Sequence, residues 1–365
     1  MQPETAKRFH IALLPGDGIG PEVIAEAVKV LRAVEARLDC IRFEFEEFSV
    51  GAGEYLRSGD PLPEATFERL RESGAILLGA MGLPEVRWPS GTEMAPQVKL
   101  RERLDLYCGV RPVYLYHSDH GPLKGYRAGE IDFVIVREST EGLFFSRRQG
   151  YAPDAPEVRD TLRISRAGAE RLFRAAFQMA ASRRGLLTLI DKANVLPSMA
   201  YFRRIFDEVA VEFPAVRTER LYVDAAALYL VQNPRRFDVI VTENMFGDIL
   251  SDLAAGLVGG MGMAPSADMG DRHAVFQPAH GSAPDLAGQG IANPTATILS
   301  AAMMLDWLPG AAAGAGLIRA AVQRFFATSE ERTRDLGGRL KTAELGDRIG
   351  ELLTSSDAVF LSLIH

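Results

Sequence analysis

Short apolar runs alternate with segments of helical period along most of the chain. The runs with strand character lie at residues 11–14, 41–48, 75–78, 133–136, 186–190, 221–223 and 239–241. Apolar residues recur with the helical period at residues 167–182 and 198–211, and another helix is predicted to begin near Pro21. This alternation predicts an α/β fold in which helices cover a largely parallel, open sheet.

The loop between the first strand and the first helix contains Gly16, Gly18 and Gly20. A dinucleotide-binding Rossmann fold requires the spacing Gly-x-Gly-x-x-Gly, but Pro21 stands where the last glycine should be. We therefore interpret the loop as a tight turn whose glycines allow close backbone approach. The spacing disfavours a metal-free hydroxyacid dehydrogenase of the Rossmann type.

Two kinds of irregular segment interrupt the pattern. Residues 138–162 form a long polar connection with several glycines and prolines, which is either a surface loop or, as often with long connections, a functional segment. Residues 256–265, rich in glycine and proline, and residues 104–110 are the candidate crossings between domains.

Composition limits the class of protein further. The 365 residues suggest two domains; 47% are hydrophobic and 24% charged, which excludes a disordered or collagen-like chain. The net charge of −7 disfavours a broad nucleic-acid surface, and the two cysteines form no metal quartet or disulfide framework. We see no targeting segment or membrane span, and so expect a soluble, cytoplasmic protein without nucleic-acid or membrane partners.

Two carboxylates give the strongest chemical signal. Asp248 and Asp252 are four residues apart, so on a helix both project from one face. Oxygen ligands without nearby histidine or cysteine favour Mg²⁺ or Mn²⁺, although a solvated helix face would show the same pattern. A third carboxylate, Asp224, follows the run 221–223 and is a further metal ligand or the cap of a helix over residues 225–232.

Candidate groups for an anionic substrate follow apolar strands. Lys192 stands just past the run 186–190, where it is either a base for catalysis or a partner for Asp191. Arg101, Arg111 and Arg137 end apolar or helical segments. Converging guanidinium groups would suit a di- or tricarboxylate, whereas one such arginine by itself is typical of a surface salt bridge.

Together and in this order, these segments resemble the isocitrate/isopropylmalate dehydrogenase family of β-decarboxylating dehydrogenases. The likeness runs from about residue 9 to 308, and its most specific blocks are residues 14–22, 191–195, 246–252, 280–285 and 291–294. The resemblance implies a two-domain open α/β sheet of the isopropylmalate dehydrogenase type with a non-Rossmann NAD site. It implies a discontinuous NAD-binding domain of residues 1–106 plus 259–365. Residues 107–258 would form a dimerisation and metal/substrate domain, with a clasp arm at about 138–162.

The resemblance also implies the role of each site residue in a homodimer with a shared active site. Arg101, Arg111 and Arg137 would bind the substrate carboxylates. Asp248 and Asp252 would hold Mg²⁺ or Mn²⁺, with Asp224 contributed across the dimer interface, and Lys192, also from the neighbour, would take the proton from the C2 hydroxyl. The cofactor-binding residues would be Asn194 near the nicotinamide and, on the adenosine side, His280, Gly281, Ser282, Ala283, Asp285 and Asn293. A carboxylate at Asp285 repels a 2′-phosphate, so NAD is expected over NADP.

Two positions depart from the family pattern. Phe144 stands where the family usually has a tyrosine, and a phenylalanine has no proton to donate. We therefore hypothesise that oxidation survives while protonation after decarboxylation is impaired. Gln277 replaces a usual glutamate near the cofactor, with an effect whose direction is open.

The implied reaction is NAD- and metal-dependent oxidative decarboxylation of a small 2-hydroxy dicarboxylic acid. Residues 92–98 would contact the substrate, and Ala95 and Gln97 disfavour isocitrate. A 3-isopropylmalate-like acid is preferred, with homoisocitrate, D-malate and tartrate as alternatives. A non-catalytic regulatory subunit is the alternative class, although keeping Lys192, the acidic residues and all three arginines argues against it.

Overall fold

The structure, a computed structural model, describes residues 6–148, 150, 152 and 154–355. The chain forms two compact units. Unit 1 comprises Met1–Leu100, Gly259–Ala267 and Arg272–His365, and unit 2 comprises Arg101–Val258 and Asp268–Asp271. The predicted boundary at 258/259 is also a boundary of the units, whereas that at 106/107 lies inside unit 2. The roles predicted for the two domains stay predictions.

Strands and helices alternate, as the sequence pattern predicts. The strands are β1 (Lys7–Gly16), β2 (Ile41–Glu47), β3 (Ala75–Ala80), β4 (Cys108–Tyr114), β5 (Asp132–Glu138), β6 (Leu186–Asp191), β7 (Arg217–Tyr222), β8 (Val239–Thr242), β9 (Pro265–Met269) and β10 (Ala274–Pro278). The helices are α1 (Gly20–Arg37), α2 (Ala52–Ser58), α3 (Glu64–Glu72), α4 (Pro96–Arg103), α5 (Arg166–Ala181), α6 (Pro197–Ala210), α7 (Val223–Gln232), α8 (Asn244–Gly256), α9 (Thr295–Trp307), α10 (Ala312–Thr328) and α11 (Thr342–Thr354).

Unit 1 is built on strands in the order β2-β1-β3-β10-β9, and its β1–β2, β1–β3 and β3–β10 pairs are parallel. Every residue of β3 is buried, as expected for a strand covered on both faces. Helix α1 begins beside Pro21 and buries a stripe that includes Val23, Ala27 and Val30. This apolar stripe and the buried strands form the core of the unit.

Unit 2 contains strands in the order β4-β5-β8-β6-β7. Its pairs are parallel except for β4 with β5, which run antiparallel. A cluster of buried apolar side chains, including Phe133, Ile190, Phe237 and Leu250, joins this sheet to α7 and α8. Packing against that cluster fixes the position of α8, which carries the predicted metal ligands.

Several local predictions need correction. The run 221–223 is not a strand by itself, because β7 spans Arg217–Tyr222 and α7 begins at Val223. Asp224 consequently lies in the first turn of α7 and does not cap a helix over residues 225–232. Of the predicted arm at 138–162, residues 149, 151 and 153 lie outside the described residues. The described part includes a short 3₁₀ helix at Leu143–Arg148 and a bridge between Gly142 and Arg163.

Other sequence-level expectations concern the cysteines and the membrane. Cys40 is exposed and Cys108 is buried in β4, and both are free thiols. Among the helices within the described residues, we find none with the length and apolar character needed to cross a bilayer.

Candidate active site

The three predicted arginines are buried in unit 2. Arg101 is in α4, Arg111 in β4 and Arg137 near the end of β5, and each side chain is at most one-tenth exposed. The pKa of Arg137 is lowered to about 10, mainly by burial and next by the positive charge of Arg101, with Arg111 also contributing. The interpretation of any of them as a surface salt bridge is therefore wrong, because all three are withdrawn from solvent.

A carboxylate that the sequence analysis missed lies among these arginines. Asp268, in β9, is 1% exposed and accepts hydrogen bonds from Arg101 Nε at 2.8 Å and Arg111 Nη2 at 3.1 Å. The opposing guanidinium groups hold the pKa of Asp268 far below its usual range despite complete burial. The available signal was an aspartate inside a short, largely uncharged segment, which by itself does not identify its partners.

Arg137 connects this cluster to helix α8. Its Nε and Nη2 atoms donate to Asn244 Oδ1 at 3.0 and 2.7 Å, and its Nη1 donates to Asp248 Oδ1. The approach is close because residue 247 is glycine: a Cβ atom there would lie 2.6 Å from Arg137 Cγ. The guanidinium also stands over the ring of Phe144, 5.3 Å from its centroid. The aromatic ring at this position therefore faces the cation but offers no hydroxyl.

Helix α8 presents the predicted acidic pair. Glu243 caps the helix by accepting from the backbone N–H of Phe246 at 2.7 Å, which fixes where the helix begins. Asp248 and Asp252 follow one helical turn apart, and the pKa of Asp252 is raised, first by burial and next by the charge of Asp248. Two close carboxylates next to a buried cation provide the oxygen ligands that a divalent ion such as Mg²⁺ prefers.

The remaining predicted metal ligand is paired elsewhere in unit 2. Lys192 Nζ lies 2.8 Å from Asp224 Oδ1, and this hydrogen bond lowers the pKa of the Asp224 carboxyl. Among the described residues, no three acidic, histidine or cysteine side chains of the single chain are placed to hold a metal ion. Asp248 and Asp252 are therefore the metal ligands that this helix offers, and a complete metal site requires a further ligand from outside that pair.

The pairing of Lys192 also corrects an alternative. Asp191 does not bind Lys192; its two carboxylate oxygens accept from Arg203 Nε and Nη2, each at 2.7 Å. Asp191 is buried at the end of β6, whereas Lys192 and Asn194 follow in a more accessible loop. Lys192 therefore pairs with Asp224 and not with Asp191.

In unit 1, three of the six predicted adenosine-side residues line a cavity of about 480 Å³. Its lining includes His280, Ala283 and Asn293, and also Ile19 and Asp335, which the sequence analysis did not single out. The His280 Nε2 atom is buried without a hydrogen-bond partner among the described residues, and burial lowers the pKa of this histidine. A neutral histidine with an unused ring nitrogen suits a polar, uncharged group such as a nucleobase or ribose.

The other residues of this segment differ in exposure. Ser282 is buried and donates to the carbonyl of Gly82, whereas Gly281 and Asp285 are more accessible. Gln277 is buried in β10, and its backbone carbonyl accepts from Ser300 Oγ at 2.8 Å. The carboxylate of Asp285 is accessible to a ligand.

The glycine loop forms one wall of this region. Gly18 has φ of +59°, and a Cβ atom there would lie 1.9 Å from the carbonyl oxygen of Ser282. The backbone N–H of Ile19 donates to that same oxygen at 2.8 Å. The interpretation of the loop as a tight turn with close backbone approach is confirmed, and the residue it approaches belongs to the predicted cofactor segment.

Known proteins resemble this chain over nearly its whole length. A model of the isocitrate/isopropylmalate dehydrogenase family matches residues 10–349. The 3-isopropylmalate dehydrogenase of Moorella thermoacetica is 46% identical over 353 residues, which cover 93% of this chain and 98% of that protein. The corresponding enzyme of Bacillus subtilis is 46% identical over 337 residues, covering 90% and 91% of the two chains.

Solved structures agree with these similarities. The crystal structure of isocitrate dehydrogenase from Methylococcus capsulatus matches with a TM-score of 0.86 at 36% identity, covering 95% of this chain and all of that one. A β-decarboxylating dehydrogenase from Thermococcus kodakarensis matches with a TM-score of 0.78 at 40% identity, covering 94% and 96%.

The family match spans both units and contains every predicted site residue. It confirms the α/β fold class and the prediction that the protein is a dehydrogenase. The chain belongs to the isocitrate/isopropylmalate dehydrogenase family.

Proposed function

We propose that this dehydrogenase oxidatively decarboxylates a 2-hydroxy dicarboxylic acid of the 3-isopropylmalate type, using NAD and Mg²⁺ or Mn²⁺. The observation that carries the proposal is the burial of Arg101, Arg111 and Arg137 together, with Arg137 in contact with Asp248 of the acidic pair on α8. Buried cations beside metal-binding carboxylates are a costly arrangement that an anionic, metal-binding substrate would stabilise.

The arginines bind and orient the substrate. Guanidinium groups match carboxylates through paired hydrogen bonds, and their burial strengthens each such interaction relative to water. Asn244 holds Arg137 by two hydrogen bonds, so the orientation of that guanidinium is fixed before substrate arrives. Fixed donors of this kind cost little reorganisation during the reaction.

Asp248 and Asp252 are the residues of this chain that would hold the divalent ion, and Asp224 of a second copy would complete the set. When bound, the ion polarises the oxygen on C2 and stabilises negative charge that develops there. Lys192 is the proposed base for the C2 hydroxyl, and its contact with Asp224 positions its side chain.

The cavity of unit 1 is the proposed NAD site, and NAD supplies the acceptor for the hydride from C2. The unused Nε2 of His280 and the polar side chain of Asn293 line this cavity. The accessible carboxylate of Asp285 suits a ribose hydroxyl and would repel a 2′-phosphate, which supports NAD over NADP.

The proton that must reach C3 after loss of CO₂ has no obvious donor at position 144. Phe144 provides none, and Asp268 is an unsuitable acid because the arginines lower the pKa of its carboxyl far below neutrality. We propose that water supplies this proton, so that oxidation is faster than completion of the overall reaction.

A homodimer would supply Lys192 and Asp224 to the site of the neighbouring protomer. Helices α7 and α8 support this proposal, because they leave large apolar side chains exposed: Leu228, Val231 and Ile249 are each more than two-fifths exposed. Apolar side chains concentrated on adjacent helices are typical of a protein–protein contact.

An assay of NADH formation and CO₂ release with Mn²⁺ tests the proposed function. The panel comprises 3-isopropylmalate, homoisocitrate, isocitrate, D-malate and tartrate, and we expect 3-isopropylmalate to give the highest kcat/KM, with no activity in excess chelator. The resemblance to named 3-isopropylmalate dehydrogenases supports that order. No NADH with any of the acids would favour a non-catalytic regulatory subunit, and full activity in chelator would exclude the metal.

A further inference from the structure

A fixed negative charge inside a substrate-binding arginine cluster has consequences for what the cluster binds. Asp268 is buried and bridges Arg101 and Arg111, and the Ser139 hydroxyl lies 3.4 Å from its Oδ1. A Cβ atom at Gly109 would lie 3.1 Å from that oxygen, so the carboxylate is also enclosed by the backbone of β4. Asp268 therefore has a defined position in the cluster and is not a solvated counter-ion.

The carboxylate lowers the charge that the cluster offers to a substrate. Arg101, Arg111 and Arg137 carry three positive charges, because a guanidinium group is protonated at neutral pH. Asp268 is ionised there, because the neighbouring guanidinium groups lower the pKa of its carboxyl. The sum is about +2 and not +3; Asp248 is left out of this sum because we propose it as a metal ligand.

Asp268 also occupies hydrogen-bond donors. The Nε atom of Arg101 and the Nη2 atom of Arg111 are directed at Asp268, which leaves fewer of their donors for a ligand. A substrate with two carboxylates balances the remaining charge. A third carboxylate in the same place would approach a buried anion, and juxtaposed like charges in such an environment are strongly unfavourable.

We propose that Asp268 is a specificity-determining residue that matches the arginine cluster to dicarboxylates and disfavours tricarboxylates. The proposal rests on the proposed function, because it assumes that the arginines bind the substrate. The Asp268 carboxylate would repel a third carboxylate of a ligand, and such repulsion of an alternative ligand is a common way to obtain specificity.

The alternative role for Asp268 is to hold the two arginines in position without affecting substrate choice. The two roles differ in a measurable way. If Asp268 only positions the arginines, replacing it slows the reaction of every acid by a similar factor. If it sets the charge, replacing it changes the ratio of kcat/KM between a tricarboxylate and a dicarboxylate.

The test compares Asp268→Asn with the wild type on 3-isopropylmalate and homoisocitrate. Asparagine keeps the size and one acceptor oxygen but removes the charge, so we expect the homoisocitrate-to-isopropylmalate ratio of kcat/KM to rise roughly tenfold. Asp238→Asn is the matched control: Asp238 is also 1% exposed and accepts from Arg183 Nε at 2.9 Å, outside the arginine cluster. This control is expected to leave the ratio unchanged.

Ligand-induced thermal stabilisation gives a readout that does not require turnover. Asp268→Asn is expected to gain more in Tm from homoisocitrate than from 3-isopropylmalate, relative to the wild type, even if the variant is less stable without ligand. If Asp268→Asn changes neither the ratio of kcat/KM nor the relative gains in Tm from the two acids, while the wild type is active, the proposed role of Asp268 is overturned and the proposed function stays intact. A wild type that neither oxidises nor binds either acid would overturn both.

Discussion

At the scale of single residues, the sequence indicated which side chains carry charge near the site but not how they pair. The spacing of Asp248 and Asp252 follows from helical geometry, so a pattern is sufficient to place them on one face. Pairing depends on distant segments: Asp268 meets Arg111 across 157 positions of sequence, and no periodicity encodes that contact. For the same reason the pairing of Lys192 with Asp224, in preference to its neighbour Asp191, is visible only in the folded chain.

The residue with the clearest chemical consequence is Phe144. Replacing it in Phe144→Tyr adds a hydroxyl to a ring that already faces Arg137, whose charge favours an ionised phenol and thus proton donation. Because a general acid contributes roughly 10²–10⁴-fold, we expect CO₂-releasing turnover to rise at least tenfold. The partition of product from enolate towards ketone, followed by NMR in deuterated water, should shift in parallel.

Phe145→Tyr is the matched control for this experiment. Phe145 is the adjacent phenylalanine, but its ring lies under Arg163 and is 39% exposed. We expect Phe145→Tyr to have the same turnover and the same product partition as the wild type. If Phe144→Tyr also changes neither quantity, the hypothesis that protonation limits the reaction is wrong.

At the scale of secondary-structure elements, the apolar runs predicted most of the central strands because buried parallel strands are nearly continuous in hydrophobicity. Strand β4 was not predicted because it contains Gly109, Arg111 and Pro112, residues that usually argue against a strand interior. Strand β7 was misplaced because its residues are at most partly buried and its sequence is polar. The elements that depart from the pattern thus include β4, which supplies a site residue.

The glycine loop between β1 and α1 allows a test of stability at this scale. Gly18→Ala places a methyl group against the carbonyl of Ser282 and requires alanine to adopt φ near +59°. Both effects oppose folding of the loop, so we expect the free energy of unfolding in urea to fall by about 3 kcal/mol.

Gly316→Ala serves as the comparison. Gly316 lies inside α10, where an added methyl group would meet open space, so alanine should raise stability by about 0.5–1 kcal/mol. Equal stability of Gly18→Ala and the wild type would mean that the close approach to Ser282 does not constrain the loop.

At the scale of the whole molecule, the resemblance and the alternating pattern predicted an α/β chain with a discontinuous first domain. The resemblance implied a first boundary at 106/107, and the compact units divide between Leu100 and Arg101, because the position of this boundary depends on which segments pack together. Oligomeric state is encoded still less directly. It depends on the exposed apolar residues of α7 and α8, which a sequence pattern alone does not distinguish from core residues.

A shared site between two protomers predicts complementation between inactive variants. In a purified heterodimer of Lys192→Met with Asp252→Asn, one of the two sites would combine an intact Lys192 with an intact Asp252. We expect each variant alone to be inactive and the heterodimer to show about half of wild-type activity. Differently tagged chains, co-expressed and purified through both tags, provide the sample for the NADH assay.

A heterodimer of Lys192→Met with Asp224→Asn controls for this result. Both changes affect residues that each protomer would donate to its neighbour, so each site retains one defect and no activity should return. An inactive Lys192→Met/Asp252→Asn heterodimer would place the complete site within one protomer.

The discontinuity of unit 1 has a consequence for how the polypeptide acquires its structure during translation. Strand β3 is synthesised early, but its neighbour β10 leaves the ribosome only after the whole of unit 2 has been made. Unit 2, in contrast, has nearly all of its residues as soon as Val258 has been added, since only Asp268–Asp271 follow. The edge of β3 therefore stays without its native neighbour throughout that interval, and nascent unit 1 is the part of the chain that most needs protection from aggregation.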